Sequence, residues 1–133
     1  MVVQDATTAR IRLILASDNA DEIRQLKRDL AASKYKYHFV HLKRRNGLVE
    51  EVARHLCNEG QRLPTVLVIN YVFATTACVA LLELARQAVE TGPIESVVTD
   101  APIGSAQRKR LNDLGARLYN SDTERAGAEL VLH

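Results

Sequence analysis

The chain has 133 residues, of which 47% are hydrophobic and 26% charged, and a formal net charge of +2. That length fits one domain able to bury roughly two-thirds of its unfolded surface, and no apolar run approaches the ~20 residues of a membrane span. The small charge does not by itself call for nucleic acid, and with no Trp and 5% aromatic residues the chain lacks a base-stacking platform.

Residues 1–9 are polar and aperiodic and read as a loose arm, with a single domain over 10–133. Met1-Val2-Val3-Gln4-Asp5 has neither a basic n-region nor an apolar h-region, so no secretory leader is expected and the location is expected to be cytoplasmic. Ile11, Leu13, Ile14 and Leu15 form the first apolar run, a buried strand. Ser17-Asp18-Asn19 brings loop and N-cap chemistry. A helix is predicted from about Ala20 to Ala32, with Ile23, Leu26 and Leu30 on one face and Arg24, Lys27 and Arg28 toward water. Tyr35 to Leu42, rich in aromatic and β-branched residues, reads as a second strand. Lys43-Arg44-Arg45-Asn46-Gly47 is a basic turn, and Leu48, Val49, Val52 and Leu56 stripe a second helix ending near Gly60. Pro64 marks entry to a third strand, Val66 to Ile69.

Ala74 to Glu90 is predicted as a third helix, terminated by Gly92-Pro93. Cys57 and Cys78 fall inside helical patterns and not in a C-x-x-C pair, so both are expected to be reduced thiols in or near the core. Ile94 to Thr99 is the fourth strand. Ser105 is expected to cap a fourth helix carrying Leu111 and Leu114, with Gly115 at its C′ position. Leu118 and Tyr119 mark a fifth strand, and Ser121 or Asp122 would cap a short last helix with Leu130 and Val131.

Strands alternating with helices through short loops argue for a parallel sheet covered on both faces. The expected class is α/β, a flavodoxin-like three-layer sandwich with strand order 2-1-3-4-5. In such sheets chemistry sits at the carboxyl ends of the strands, which places weight on Asn70, at the end of Thr65-Val66-Leu67-Val68-Ile69.

From Ile11 to Leu132 the chain resembles the receiver domain of two-component response regulators. The resemblance is carried by Leu13-Ile14-Leu15-Ala16-Ser17-Asp18-Asn19, Thr65 through Asn70, Ser96-Val97-Val98-Thr99 and Leu114-Gly115-Ala116-Arg117-Leu118-Tyr119. It implies a phosphoacceptor aspartate at Asn70, two acids after the first strand where Ser17 and Asp18 stand, and a hydroxyl at Thr99. It also implies an aromatic switch at Tyr119, and a lysine followed by proline where Asp122 and Thr123 stand. A carboxamide cannot form an acyl phosphate, and Asp122 would repel the phosphoryl group that a lysine neutralises. One expected carboxylate, Asp18, remains, so Mg²⁺ binding is expected to be weak or absent and no cofactor is expected. The plainer role of Asp18 is to cap the first helix. Thr99, with no phosphate to bind, is expected to bond Asp100 or a loop amide. Tyr119 either swings between rotamers or sits as a half-buried strand tyrosine.

The remaining candidates carry less. His38 and His41 are separated by an odd number and so point to opposite faces of their strand, which makes them poor joint metal ligands. His55 reads as a surface or boundary residue. Lys43-Arg44-Arg45 and Arg108-Lys109-Arg110 read as solvated turns and helix faces more than as phosphate contacts. No G-x-G-x-x-G or G-x-x-x-x-G-K-[ST] motif is present, and no Cys-His or Ser-His-Asp set has a recognisable spacing.

The expected function is therefore a degenerate receiver, not an enzyme, working by protein–protein contact with a signalling kinase or output protein. Its interaction face would combine the fourth helix, fifth strand and last helix, presenting Arg108, Arg110, Arg117 and Tyr119. A homodimer through this face is plausible because Asp113, Glu124 and Glu129 complement its basic residues. Two alternatives stand beside this reading: a phosphoacceptor at a displaced aspartate, Asp18 or Asp100, and a small-molecule site near Ser17, Asn70 and Thr99.

Overall fold

The structure is a computed structural model and describes residues 10–33, 36–56, 63–88, 94–102 and 104–119. In chain order its elements are β1 (Arg10–Ala16), α1 (Ala20–Ala32), β2 (Lys36–Leu42), α2 (Leu48–Leu56), β3 (Thr65–Asn70), α3 (Cys78–Gln87), β4 (Ile94–Thr99), α4 (Ser105–Asp113) and β5 (Ala116–Leu118). The strands form one sheet, ordered β2-β1-β3-β4-β5, and every neighbouring pair is parallel. The flavodoxin-like architecture expected from the alternation of strands and helices is the one observed.

Continuous apolar runs in β1, β3 and β4 follow from burial on both faces. Leu13, Leu15, Val68 and Val97 pack with Leu26 of α1 on one face. Ile14, Ala16, Leu67, Ile69 and Val98 pack on the other with Leu48, Val52 and Leu56 of α2, Leu81 and Leu82 of α3, and Leu111 of α4. Cys78 belongs to this second core, where burial pushes its thiol up to about 11 and leaves it unreactive. Since α1, which follows β1, lies on one face and α3, which follows β3, on the other, the chain leaves β1 and β3 in opposite directions. That divergence opens a crevice at their carboxyl ends.

Several boundaries differ from expectation for local reasons. Asn19, not Asp18, caps α1, because its Oδ1 accepts the Glu22 amide at 3.1 Å. The third helix starts at Cys78, not Ala74. Tyr71 to Ala77 form turns instead, and the Thr75 hydroxyl donates to the Tyr71 carbonyl at 2.6 Å, a bond that competes with helix. Gly104, not Ser105, stands at the N-cap of α4, with no side-chain bond. Gly115 follows α4 with φ +91°, as a C′ glycine should, and Gly47 turns the basic loop with φ +73°. The arm over 1–9, Tyr35, Cys57, Gly60, Glu90, Gly92-Pro93, Ser121, Asp122, Thr123, Glu124, Glu129 and the last helix with Leu130 and Val131 lie outside the described residues. Among the described residues no helix is long and apolar enough to cross a membrane.

Candidate functional site

The carboxyl ends of β1, β3 and β4 set Ser17, Asn70 and Thr99 side by side. The register aligns Ala16 with Ile69 and Asn70 with Thr99. Two residues earlier, Val68 and Val97 belong to the core under α1, so Asn70 and Thr99 leave the sheet on that same face. All three polar residues are buried. Asp18, one step further along, is exposed.

Asn70 is the centre of the site. Its Nδ2 donates to Asp100 Oδ2 at 2.9 Å and to Glu22 Oε1 at 3.2 Å, while its Oδ1 accepts the Phe73 amide at 3.1 Å. The side chain therefore joins the first turn of α1 to the loops following β3 and β4. Its backbone carbonyl also accepts the Ala74 amide at 2.9 Å. Glu22 reaches the crevice because Asn19-x-x-Glu22 places it in the first turn of α1, where a carboxylate also meets the positive end of the helix dipole. Asp100 reaches it by a left-handed backbone, φ +49°, a conformation that aspartate tolerates better than most residues.

The surroundings are acidic. Asp18 pairs with Arg45 at 3.7 Å, whereas the Glu22 and Asp100 carboxylates have the neutral Asn70 amide as their partner among the described residues. Arg45 is more than part of a solvated turn. Its Nε donates to the Phe73 carbonyl at 2.9 Å and its guanidinium lies 5.4 Å from the Phe73 ring centroid, so it ties the loop after β2 to the loop after β3. Lys43 and Arg44 are exposed, as expected of a turn. His41 closes the other side. Its Nε2 lies 2.8 Å from the Ser17 carbonyl, which can only accept, so Nε2 carries the proton. Ser17 Oγ accepts the Asn19 amide at 3.1 Å.

Thr99 departs from expectation. Its Oγ1 is buried without a hydrogen-bond partner, and it bonds neither Asp100 nor a loop amide. A buried hydroxyl left in this state costs about 1–3 kcal/mol.

The expected interaction face is tied up in itself. Tyr119 follows β5 instead of lying inside it, and it is buried, not half-buried. Its hydroxyl accepts from Arg117 Nη2 at 2.9 Å, and Arg117 also pairs with Glu95 of β4. Arg117 is thus a clamp on Tyr119 more than a displayed cation. Arg108 donates to the Pro102 carbonyl at 3.1 Å, and Lys109 pairs with Asp113 within α4 at 3.4 Å. Arg110 is exposed. Among the described residues, no group of three or more His, Cys, Asp or Glu is placed to hold a metal ion.

Glu22, Arg45 and His41 were not singled out as site residues from sequence. The spacing Asn19-x-x-Glu22 at a helix start was the available signal for Glu22. For Arg45 and His41 the contacts are long-range, and no local pattern announces them.

This fold recurs in solved structures. A response regulator receiver domain from Rhodospirillum rubrum superposes with a TM-score of 0.61 at 14% identity, covering 91% of each chain. A chain from the Saccharomyces cerevisiae co-crystal of the histidine phosphotransfer protein Ypd1 with the receiver domain of the response regulator Ssk1 gives 0.63 at 12% identity. It covers 93% of this chain and 88% of that one. At these identities the likeness concerns the fold. No protein-family model matches the chain, and no curated protein matches it by sequence.

Proposed function

We propose that the chain is a pseudo-receiver of two-component type, cytoplasmic, not phosphorylated, and acting through protein–protein contact. The observation that carries this reading is the Asn70 side chain, at the strand end where the resemblance implies an acceptor carboxylate, donating to Glu22 and Asp100. An amide so placed cannot attack phosphorus, and the carboxylates around it repel an incoming phosphoryl group. The same acidity disfavours Asp100 as a displaced acceptor, since its Oδ2 is already engaged. Mg²⁺ binding is proposed to be weak, because the remaining acids converge on an amide donor. The receiver-like fold is of a kind found with a phosphotransfer protein in the yeast complex, which supports a protein partner here. A homodimer through α4 and β5 would have to compete with the partners that Asp113 and Arg117 already have within the chain.

Intact-mass measurement after acetyl phosphate and Mg²⁺ tests the reading. The unmodified chain should gain no phosphoryl mass. Asn70→Asp alone should label slowly or not at all. Adding Ser17→Asp and Asp122→Lys should raise labelling. A stable phosphoryl adduct on the unmodified chain, mapped to Asp18 or Asp100, would replace this reading with that of a displaced acceptor.

A further inference from the structure

Among the described residues, the contacts of Glu22 and Asp100 leave their negative charge unneutralised. Glu22 and Asp100 meet across one nitrogen, at 3.2 and 2.9 Å, and that nitrogen belongs to an uncharged amide. Each carboxylate has a second oxygen outside these bonds. Beside them, on the same face of the sheet, Thr99 is only 3% exposed and its buried Oγ1 has no hydrogen-bond partner. These are ordinary N–H···O hydrogen-bond distances. The site as built already coordinates a nitrogen donor. It lacks that donor's charge.

We infer that this crevice receives a primary ammonium group, carried by a lysine side chain or by a small free amine. An ammonium has three N–H donors and a positive charge, where the amide has two donors and none. It takes over the bridge between Glu22 and Asp100, the Asn70 amide turns aside, and the freed space gives Thr99 Oγ1 its missing partner. The inference rests on the reading of the crevice as one that takes no phosphoryl group, and it names what the crevice takes instead.

The test is an NMR titration of the ¹⁵N-labelled full chain at constant ionic strength. The probes are n-butylammonium chloride, a neutral acetylated tripeptide with a central lysine, the same peptide with trimethyllysine, and MgCl₂. Primary ammonium should give saturable shifts of the Asn70 side-chain NH₂ and of the Phe73 and Ala101 amides. The lysine peptide binding more tightly than butylammonium identifies a protein source; the reverse identifies a free amine. Glu22→Gln or Asp100→Asn should weaken binding about tenfold, and Thr99→Val a few-fold, with thermal melts confirming that each variant is folded. Absent shifts, equal shifts from trimethyllysine, or a stronger saturable response to Mg²⁺ at the same residues would overturn the inference. Acetyl phosphate labelling fails or succeeds separately, so the loss of one reading is distinguishable from the loss of the other.

Discussion

The middle of the sheet and its carboxyl edge obey different rules, though they are one residue apart. At Leu67, Val68 and Ile69 the side chains are enclosed on both faces, and any hydrophobe of similar volume would serve. At Asn70 the next side chain makes three polar contacts, with one helix start and two loops, and one atom decides the chemistry. An oxygen in place of Nδ2 would turn a donor between two acids into a third acid. The strand interior therefore specifies the architecture, while its last residue specifies what the architecture can do. A chain can keep the first and lose or exchange the second.

The largest effect expected is in the strand interior. Leu67→Ala removes a fully enclosed side chain facing α2 and α3 and should cost about 3 kcal/mol in urea unfolding. The crevice comes next. Asn70→Ala leaves the buried Phe73 amide without its acceptor and should cost about 2 kcal/mol. If it costs as much as Leu67→Ala, the crevice is part of the folding core and the contrast collapses. Asn70→Asp sharpens it with a sign. A third carboxylate beside Glu22 and Asp100 raises the folded-state pKa of the group above its unfolded value. The folded variant then holds more protons than the unfolded one, so its stability falls as pH rises from acid toward neutral. Unfolding curves at several pH values should show the variant nearest to the native chain under acid conditions.

The same contrast explains what the sequence conveyed. Strand order and helix placement were legible because Leu13-Ile14-Leu15 and Thr65 through Ile69 carry burial on two faces in a local pattern. Asn70 was legible because it ends such a run. Its partners were harder. Glu22 lies 48 residues away in sequence and Asp100 lies 30 away, and only folding reveals that an amide bridges them. Thr99 was placed correctly at a strand end, but a missing hydrogen bond leaves no trace in composition or spacing. Tyr119 and Arg117 were read as a displayed surface, because the resemblance implies an interaction face built from the fourth helix, fifth strand and last helix. A resemblance of fold does not say that one of these side chains would clamp the other.

A smaller effect is expected at Thr99, and its sign is opposite to that of most buried substitutions. Thr99→Val keeps the branched shape and removes a hydroxyl with no partner. It should leave stability unchanged or raise it by about 1 kcal/mol. A loss of stability in urea unfolding would mean that Oγ1 has a hydrogen bond, and would also remove the third acceptor from the ammonium site.

The smallest effect lies toward the other end of the sheet. His55 of α2 stands near Arg12 and His38, which β1 and β2 align in register. Burial is the main cause that lowers the His55 pKa below its ordinary 6.5; Glu51 opposes it, and Arg12, His38 and Arg54 reinforce it. The unfolded chain therefore takes up the proton first as pH falls through 6.5, and the folded state loses stability from there down to its own lower pKa. Above 6.5 both states are neutral at this site and the residue contributes no pH dependence. His55→Gln removes the titration while keeping a polar side chain of similar reach. The pH dependence of its thermal stability should be flatter than that of the native chain below the ordinary histidine pKa of about 6.5, and parallel above. Parallel curves over the whole range would show that the His55 ring is solvated in both states.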